Sequence, residues 1–279
     1  MNFRQGECHG RHRTGYTCPG RPGQYQRPVD SDRHLLLMVK IIAHRGASFQ
    51  APENTLAAVN LAWEEGSAFV EVDVHLSADH KVMVCHDKMV SKSAGETPVI
   101  SQTHSKDLRK LDVGSWKSAV YRNERIPFLE EVIATIPEQG KLIVEIKCGP
   151  EILPVLQQIV AHSIQKDRLI FISFGWETIS AVKNRFANHL CYWVNDDKTD
   201  LSDKIKACAD NGLDGIDLYY KLIDAEIIEQ AHRSGLEVLC WTVDDPINAR
   251  QLIDLGVTGI TTNRPAWLKS KINQGTVLD

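Results

Sequence analysis

Residues 41–87 read IIAHRGASFQAPENTLAAVNLAWEEGSAFVEVDVHLSADHKVMVCHD, and this stretch decides the fold. It opens inside a short apolar run, residues 39–43, which we interpret as a buried strand that ends at His44. Between residues 54 and 65 the apolar side chains recur at helical spacing, with Asn54 or Thr55 available as the N-cap. The first half of the stretch therefore predicts a strand, a loop and a helix.

The second half of the stretch alternates strictly between polar and apolar residues. Glu71, Asp73 and His75 lie on one face of a predicted strand over residues 69–76, and valines occupy the other face. Because carboxylates inside an apolar strand are costly unless they are paired, two of them on one face indicate a site.

A polar turn at residues 78–81 separates this strand from a second run, residues 82–86. If the two form a hairpin with a four-residue loop, residue 77 pairs with residue 82, and Asp73 lies opposite His86. We therefore expect the second histidine to lie beside the carboxylates.

The rest of the chain alternates between helical and strand patterns, and glycines often separate a helix from the next strand. Such repeated units predict a parallel sheet with helices outside, and the polar residues at the strand ends predict a TIM-type (β/α)8 barrel with its site on the carboxyl face. Nine strands are candidates, and the pair at 69–76 and 82–86 is the expected irregularity. We expect a small insertion after the third strand, over about residues 88–125. The remaining predicted strands are 142–147, 169–174, 190–194, 215–218, 237–243 and 258–261, and the later helices are 128–136, 151–164, 176–186, 201–210, 224–233 and 246–254.

Two parts of the chain differ in composition. Residues 1–37 are rich in Arg, Gly, Pro and Gln and predict a disordered basic extension, whereas residues 38–279 predict the barrel domain. The extension is either a basic tail that docks on an acidic partner or a segment upstream of a natural start at Met38. The net charge is +3 up to residue 38 and −7 beyond it, which argues against nucleic acid as a partner.

No apolar run approaches the length of a membrane span, so we expect no stable membrane insertion and a cytoplasmic enzyme. The chain has seven cysteines, an odd number, and four of them lie in or beside predicted strands, so we interpret those four as buried free thiols in a reducing compartment. The sequence leaves self-association into a homo-oligomer open.

Three carboxylates, Glu71, Asp73 and Glu145, offer only oxygen ligands, which suit Mg²⁺ or Ca²⁺ better than zinc or copper. His44 and His86 end separate strands and have the chemistry of a general acid and base. Arg45 and Lys147 could bind a phosphate. The alternatives are surface ion pairs for the acids and satisfied core residues for the histidines.

Several motifs occur together in one order: HRGASFQAPENT (44–55), EVDVHLSADHKVMVCHD (71–87), VEIK (144–147), SF (173–174), WTVDD (241–245) and GITTNRP (259–265). From about residue 39 to 269 the chain closely resembles the glycerophosphodiester phosphodiesterase family of the bacterial cytoplasmic type. The resemblance implies a TIM-type barrel that hydrolyses glycerophosphodiesters to glycerol 3-phosphate and an alcohol with a divalent cation. The nucleophile is either water or the neighbouring glycerol hydroxyl.

The family's site residues can be carried over motif by motif. By this resemblance the acid/base pair is His44 and His86. The phosphate ligands are Arg45 and Lys147, and the metal ligands are Glu71, Asp73 and Glu145. Glu53 resembles a site residue that holds Arg45, or else it is an acid favoured at a helix N-terminus. Trp241 resembles an apolar wall near the glycerol, or else it is a buried barrel aromatic.

The chain departs from the family pattern at residues 91–99, SKSAGETPV, and at Asn263, where the family often has Asp. One alternative is a lysophospholipase D-type enzyme of the same fold, which would need an apolar rim that the polar insertion does not obviously supply. A catalytically silent barrel that binds a phosphate ligand is a second alternative, and a sugar-phosphate epimerase is a third. A silent barrel would be expected to have lost a histidine or a metal carboxylate, and this chain keeps the set. An epimerase gives no reason for two strand-end histidines with three acids.

Overall fold

The computed structural model describes residues 39–91 and 97–274 of the 279-residue chain. The predicted extension over residues 1–37 lies outside the described residues, as do residues 92–96 of the predicted insertion. The described residues include all nine predicted strands.

Eight strands form a closed parallel barrel, because the first strand pairs with both the second and the last. The remaining strand, β3, lies outside the barrel and pairs antiparallel with β2. The TIM-type barrel predicted from the sequence is confirmed. The strands are β1 (Lys40–Ala43), β2 (Phe69–Leu76), β3 (Val82–Val84), β4 (Lys141–Ile146), β5 (Leu169–Ser173), β6 (Leu190–Asn195), β7 (Gly215–Tyr219), β8 (Glu237–Trp241) and β9 (Gly259–Thr262).

Helices follow the barrel strands and cover the outside of the sheet. Several begin where a side chain accepts a backbone N–H, as Thr55 does from Ala58 and Asp224 from Ile227. The helices are α1 (Leu56–Glu64), α2 (Ser105–Leu108), α3 (Leu129–Ile133), α4 (Leu153–His162), α5 (Trp176–Arg185), α6 (Leu201–Asp210), α7 (Ala225–Arg233), α8 (Pro246–Leu255) and α9 (Pro265–Asn273). Short 3₁₀ turns occupy Ile100–Gln102, Ala119–Tyr121, Pro150–Ile152, Lys166–Arg168 and Tyr220–Leu222.

Apolar side chains form three separate clusters. The largest lies between the helices and the outer faces of the strands. A second fills the barrel interior and includes Ile42, Ile143, Ile172, Tyr192 and Leu239. The third packs the segment that follows β3 against Met83 of that strand and contains Met83, Val90, Ile100, Leu108 and Ile126. This segment therefore has an apolar core of its own and lies beside the carboxyl face of the barrel.

The predicted register of the β2–β3 hairpin was wrong by one residue. Leu76, not residue 77, pairs with Val82, so Asp73 lies opposite Cys85 instead of His86. The loop is five residues long because Ser77 joins the turn, where its hydroxyl accepts the N–H of Lys81 and its carbonyl accepts the N–H of His80.

Candidate active site

The carboxyl ends of the barrel strands form a cavity of about 140 Å³. It is lined by His44, Arg45, Glu71, His86, Glu145, Lys147, Ile172, Phe174, Val194, Asp217, Trp241, Thr242 and Thr261. Seven of the nine sequence-predicted site residues are among them, and the other two, Asp73 and Glu53, contact Arg45. The barrel thus gathers residues that are up to 217 positions apart in the chain, from His44 to Thr261.

The turn after β1 directs Arg45 and its neighbours at the cavity. Arg45 has a left-handed backbone, with φ of 56°, and Gly46 follows with φ of 82°. A Cβ on Gly46 would lie 2.5 Å from the backbone carbon of Ala58 in α1, so only glycine fits this close approach. The backbone N–H of Arg45 donates to Glu71 Oε2 at 2.9 Å.

Three buried carboxylates, Glu71, Asp73 and Glu145, lie on the inner face of β2 and β4, where Asp73 pairs in register with Glu145. One oxygen of each lies within 4.8 Å of the others. The sequence-based expectation that Glu145 lies beside the two acids of β2 therefore holds. The Oε1 atom of Glu71 is buried, and no described residue gives it a hydrogen bond. This hard-oxygen donor set with an unpaired buried oxygen fits a divalent cation.

Burial and mutual repulsion disturb the ionisation of these acids. The pKa of Glu71 is raised well above its usual value by burial and by Asp73 and Glu145. Burial and the charge of Asp73 raise the pKa of Glu145 to about 7. Burial also disfavours the charge of Asp73, but Lys147 and Arg45 outweigh it and lower its pKa to about 2. A cation at this position would favour the ionised form of all three.

Two basic side chains lie around the carboxylates. Arg45 Nη1 donates to Glu53 Oε1 at 2.9 Å, and its Nε lies 3.3 Å from Asp73 Oδ2. Lys147 Nζ lies 2.7 Å from Glu145 Oε1 and 3.3 Å from Asp73 Oδ1. Burial opposes the charge of Lys147, but Asp73 and Glu145 prevail and raise its pKa, so it stays cationic.

His44 is oriented by Asn263 at the end of β9. Its Nδ1 lies 2.7 Å from Asn263 Oδ1, and Asn263 Nδ2 donates to Asp244 Oδ2 at 2.6 Å. Because the Asp244 carboxylate accepts from the amide nitrogen, the amide oxygen must face the ring, and Nδ1 of a neutral His44 carries the proton. Burial, followed by the charge of Arg45, lowers the pKa of His44 to about 4. The ring nitrogen left for a reacting group is Nε2, as an acceptor.

His86 lies just beyond β3, and its side chain is 32% exposed. Its Nδ1 lies 2.7 Å from Asp87 Oδ1, while its backbone carbonyl lies 3.0 Å from His75 Nε2. The one-residue register change did not remove His86 from the site, because the chain bends after residue 85 and brings the ring to the cavity.

An apolar wall lies across the cavity from the β2 carboxylates. The rings of Phe174 and Trp241 meet edge to face with centroids 5.6 Å apart, and Lys147 Nζ lies 5.5 Å from the Phe174 centroid. Trp241, which the resemblance assigns to an apolar wall near the glycerol, lines the cavity and is partly buried.

Sequence reasoning missed four residues that support the site. Asn54, considered only as a helix cap, exchanges two hydrogen bonds with Asp73, at 2.8 and 3.0 Å. Asn263 and Asp244 lie in recognised motifs, but the contact of Asn263 with His44 depends on barrel closure, and Asp244 supports it by accepting hydrogen bonds from Asn263. Asp217, on β7, carried no predicted role. Its position on an inward face was the only available signal.

Comparisons with known proteins agree with the geometry. The sequence matches the model of the glycerophosphoryl diester phosphodiesterase family over residues 44–267. It is 30% identical over 247 residues to a glycerophosphodiester phosphodiesterase of Caldanaerobacter subterraneus, covering 84% of this chain and 98% of that protein. A Bacillus subtilis glycerophosphodiester phosphodiesterase is 27% identical, with coverage of 84% and 86%.

Solved structures give the same result. The fold is similar to an Oleispira antarctica phosphodiesterase in complex with the product sn-glycerol-3-phosphate, with a TM-score of 0.80 and 28% identity. The alignment covers 85% of this chain and 98% of that one. The matched region includes all nine predicted site residues.

Proposed function

The chain belongs to the glycerophosphoryl diester phosphodiesterase family and is a phosphoric diester hydrolase, and from this premise we propose how its residues act. We propose that it hydrolyses glycerophosphodiesters to sn-glycerol 3-phosphate and an alcohol, with a divalent cation, Mg²⁺ or Ca²⁺. One observation carries the proposal: two histidines, two cationic side chains and three clustered carboxylates converge on a single cavity.

The cation would be held by Glu71, Asp73 and Glu145, whose oxygens are already close together. When bound there, a divalent cation polarises a phosphoryl oxygen and lowers the pKa of a hydroxyl nucleophile. It would also relieve the repulsion among the three acids, which together with burial raises the pKa values of Glu71 and Glu145.

Arg45 and Lys147 bind and orient the phosphate. Both are held in place by carboxylates, Arg45 by Glu53 and Lys147 by Glu145, so little side-chain freedom is lost when the substrate binds. Arg45 offers a planar fork of donors to two phosphate oxygens, and Lys147 supplies a point charge.

His44 serves as the general base and His86 as the general acid. The Asn263 contact fixes the proton of neutral His44 on Nδ1 and leaves Nε2 free to accept a proton from the nucleophile. The Asp87 carboxylate, 2.7 Å from Nδ1 of His86, orients the ring, and His86 protonates the leaving alkoxide. The nucleophile is water or the adjacent glycerol hydroxyl, and ³¹P NMR during turnover separates them, since only the second gives a cyclic phosphate.

The test is release of glycerol 3-phosphate from glycerophosphocholine and glycerophosphoethanolamine, with and without EDTA and with Mg²⁺ or Ca²⁺ added back. We expect activity that EDTA abolishes and either cation restores. Full activity after chelation would remove the cation from the proposal. Absence of release from both substrates under all conditions would overturn the function itself.

A second candidate activity, on lysophospholipids, is supported by exposed apolar side chains near the site mouth. Met89 and Trp116 are 47% and 44% exposed and line a groove with His86, although the insertion was expected to be polar. Phe49 and Phe174 are 55% and 40% exposed. Lysophosphatidylcholine should then be cleaved to lysophosphatidic acid and choline. Under this reading Trp116→Ser lowers that rate but not the rate on glycerophosphocholine, and equal loss on both would contradict it.

Other features bear less directly on function. Among residues 39–91 and 97–274, no helix combines the length and apolarity needed to span a bilayer. The five cysteines described there, Cys85, Cys148, Cys191, Cys208 and Cys240, are free thiols. The cytoplasmic location and any homo-oligomer stay predictions.

A further inference from the structure

Asp217 is a buried carboxyl group that the reaction described above does not use. It lies on β7 with 3% of its surface exposed, and its sheet neighbours are Val194 on β6 and Leu239 on β8. Its side chain reaches the active-site cavity, and Trp241 Nε1 donates to its backbone carbonyl at 3.3 Å. The acid therefore lies beside Trp241 of the apolar wall, across from the β2 carboxylates.

The carboxyl group of Asp217 has a buried oxygen that the described residues leave without a hydrogen bond. Its Oδ1 is buried, and no residue in the described part of the chain donates a hydrogen bond to it. Arg45 and Lys147 pair instead with Glu53, Asp73 and Glu145. A buried carboxyl oxygen without a partner lowers stability, so its place in a ligand cavity indicates that a ligand satisfies it.

We propose that Asp217 is a specificity-determining residue whose carboxyl group binds a hydroxyl of the glycerol moiety of the substrate. The inference rests on the proposed function, because that function places a glycerol beside the phosphate-binding residues. The surroundings favour a hydroxyl over a cation, because the sheet neighbours Val194 and Leu239 are apolar and Asp217 is not among the three acids whose oxygens lie within 4.8 Å of one another. Burial, with a contribution from Glu145, raises the pKa of Asp217 well above its usual value. The neutral acid can both donate to and accept from a hydroxyl group.

The test compares two phosphate monoesters that differ only in hydroxyl groups, sn-glycerol 3-phosphate and n-propyl phosphate. Binding is measured by calorimetry with the Mg²⁺-loaded full chain and its Asp217→Val and Asp217→Asn variants. A site built to hydrogen-bond a hydroxyl rejects the ligand that lacks it, so we expect wild type to prefer glycerol 3-phosphate about tenfold or more. Asp217→Val should lose about tenfold in affinity for glycerol 3-phosphate and bind propyl phosphate as wild type does.

The asparagine variant is the matched control for shape and hydrogen bonding. Asp217→Asn can still donate to and accept from a hydroxyl, so it should keep most of the preference for glycerol 3-phosphate. Asp217→Val should melt at the same temperature as wild type or higher, because it removes an unpaired buried carboxyl group. The Mg²⁺ concentration for half-maximal activity should be the same in all three proteins.

Several results would overturn the assignment. If Asp217→Val loses affinity for both monoesters equally, the residue supports the phosphate site or the fold. A tenfold shift in the Mg²⁺ requirement would make it a cation ligand. The wild-type preference tests the idea without any variant: a protein that hydrolyses glycerophosphocholine but binds both monoesters alike refutes the role of Asp217 and leaves the proposed function intact. A protein that neither binds glycerol 3-phosphate nor hydrolyses its diesters refutes the proposed function.

Discussion

The side-chain oxygen of Asn263 lies 2.7 Å from Nδ1 of His44, across 219 positions of sequence. Asn263 is held in turn by Asp244, which accepts both its side-chain and its backbone N–H, at 2.6 and 2.8 Å. The last strand of the barrel therefore sets the tautomer of a histidine on the first strand. The proposed general base, His44 at the end of β1, therefore depends on a residue that only barrel closure brings near it.

Removing the side-chain amide of Asn263 should impair the action of His44 while the imidazole itself stays in place. We expect Asn263→Ala to lower kcat on glycerophosphocholine by roughly 10- to 100-fold, because the ring can then rotate or carry its proton on Nε2. Ser48→Ala is the matched control, since Ser48 donates to the same Asn263 oxygen at 3.0 Å but does not touch the ring. A variant at Asn263 with wild-type kcat would show that the contact has no role in the reaction.

The two histidines should differ in their dependence on the leaving group. His44→Ala and His86→Ala should each lower turnover of glycerophosphocholine by ~10²-fold or more, the usual worth of acid/base catalysis. On glycerophospho-4-nitrophenol, whose leaving group needs no protonation, His86→Ala should recover most of its activity and His44→Ala should not. His162→Ala, an exposed histidine at the end of α4, should behave as wild type on both substrates. Recovery in the His44 variant instead would reverse the two roles.

The part of the fold that the sequence predicted best is the αβ rhythm from residue 176 onwards, where most predicted boundaries match within one or two residues. These elements are specified locally, by apolar spacing, by caps such as Asp224 and Asp245, and by the left-handed Gly256 at the end of α8. The carboxylate cluster was equally predictable, because parallel neighbouring strands bring Asp73 and Glu145 into register.

The features that the sequence did not predict depend on contacts between distant residues. The β2–β3 register was missed because Ser77 belongs to a turn that Asp79 ties to Ser105, 26 residues further on. The contact of Asn54 with Asp73 needs a left-handed backbone at Asn54, with φ of 57°, which periodicity does not report. Such contacts can be recognised only when the loop conformations are known.

Asp79 should anchor the segment after β3 in a pH-dependent way. It accepts hydrogen bonds from the Ser105 N–H and hydroxyl at 2.8 and 2.7 Å and from the Ser77 hydroxyl at 2.7 Å. Burial disfavours the charge of Asp79, but these bonds together outweigh it and hold its pKa well below its usual value. A lowered folded-state pKa stabilises the fold above the unfolded pKa, and this contribution is lost as the pH falls towards the folded value.

We therefore expect Asp79→Asn to lower the free energy of unfolding at pH 7 by about 1–3 kcal/mol, the usual worth of hydrogen bonds to a charged group. The difference from wild type should shrink as the pH falls below about 4. Urea unfolding at a series of pH values measures it. Asp107→Asn, which alters an exposed pair with Lys110, should leave the urea midpoint unchanged. A difference at Asp79 that persists undiminished at low pH would show that charge is not its cause.

Cation binding should release protons below neutral pH. In the metal-free protein the pKa of Glu145 is raised to about 7 and that of Glu71 well above its usual value, so both hold protons under mildly acidic conditions. Because the cation binds the ionised carboxylates, its affinity should fall roughly tenfold per pH unit for each proton displaced below about pH 7. Calorimetry of Mg²⁺ binding in buffers of different ionisation enthalpy counts the protons. Glu145→Gln should weaken binding and release fewer protons, whereas Asp203→Asn, on the exposed face of α6, should change neither. Affinity independent of pH between 5 and 7 would show that Glu71 and Glu145 are already ionised before the cation binds and that no proton is displaced.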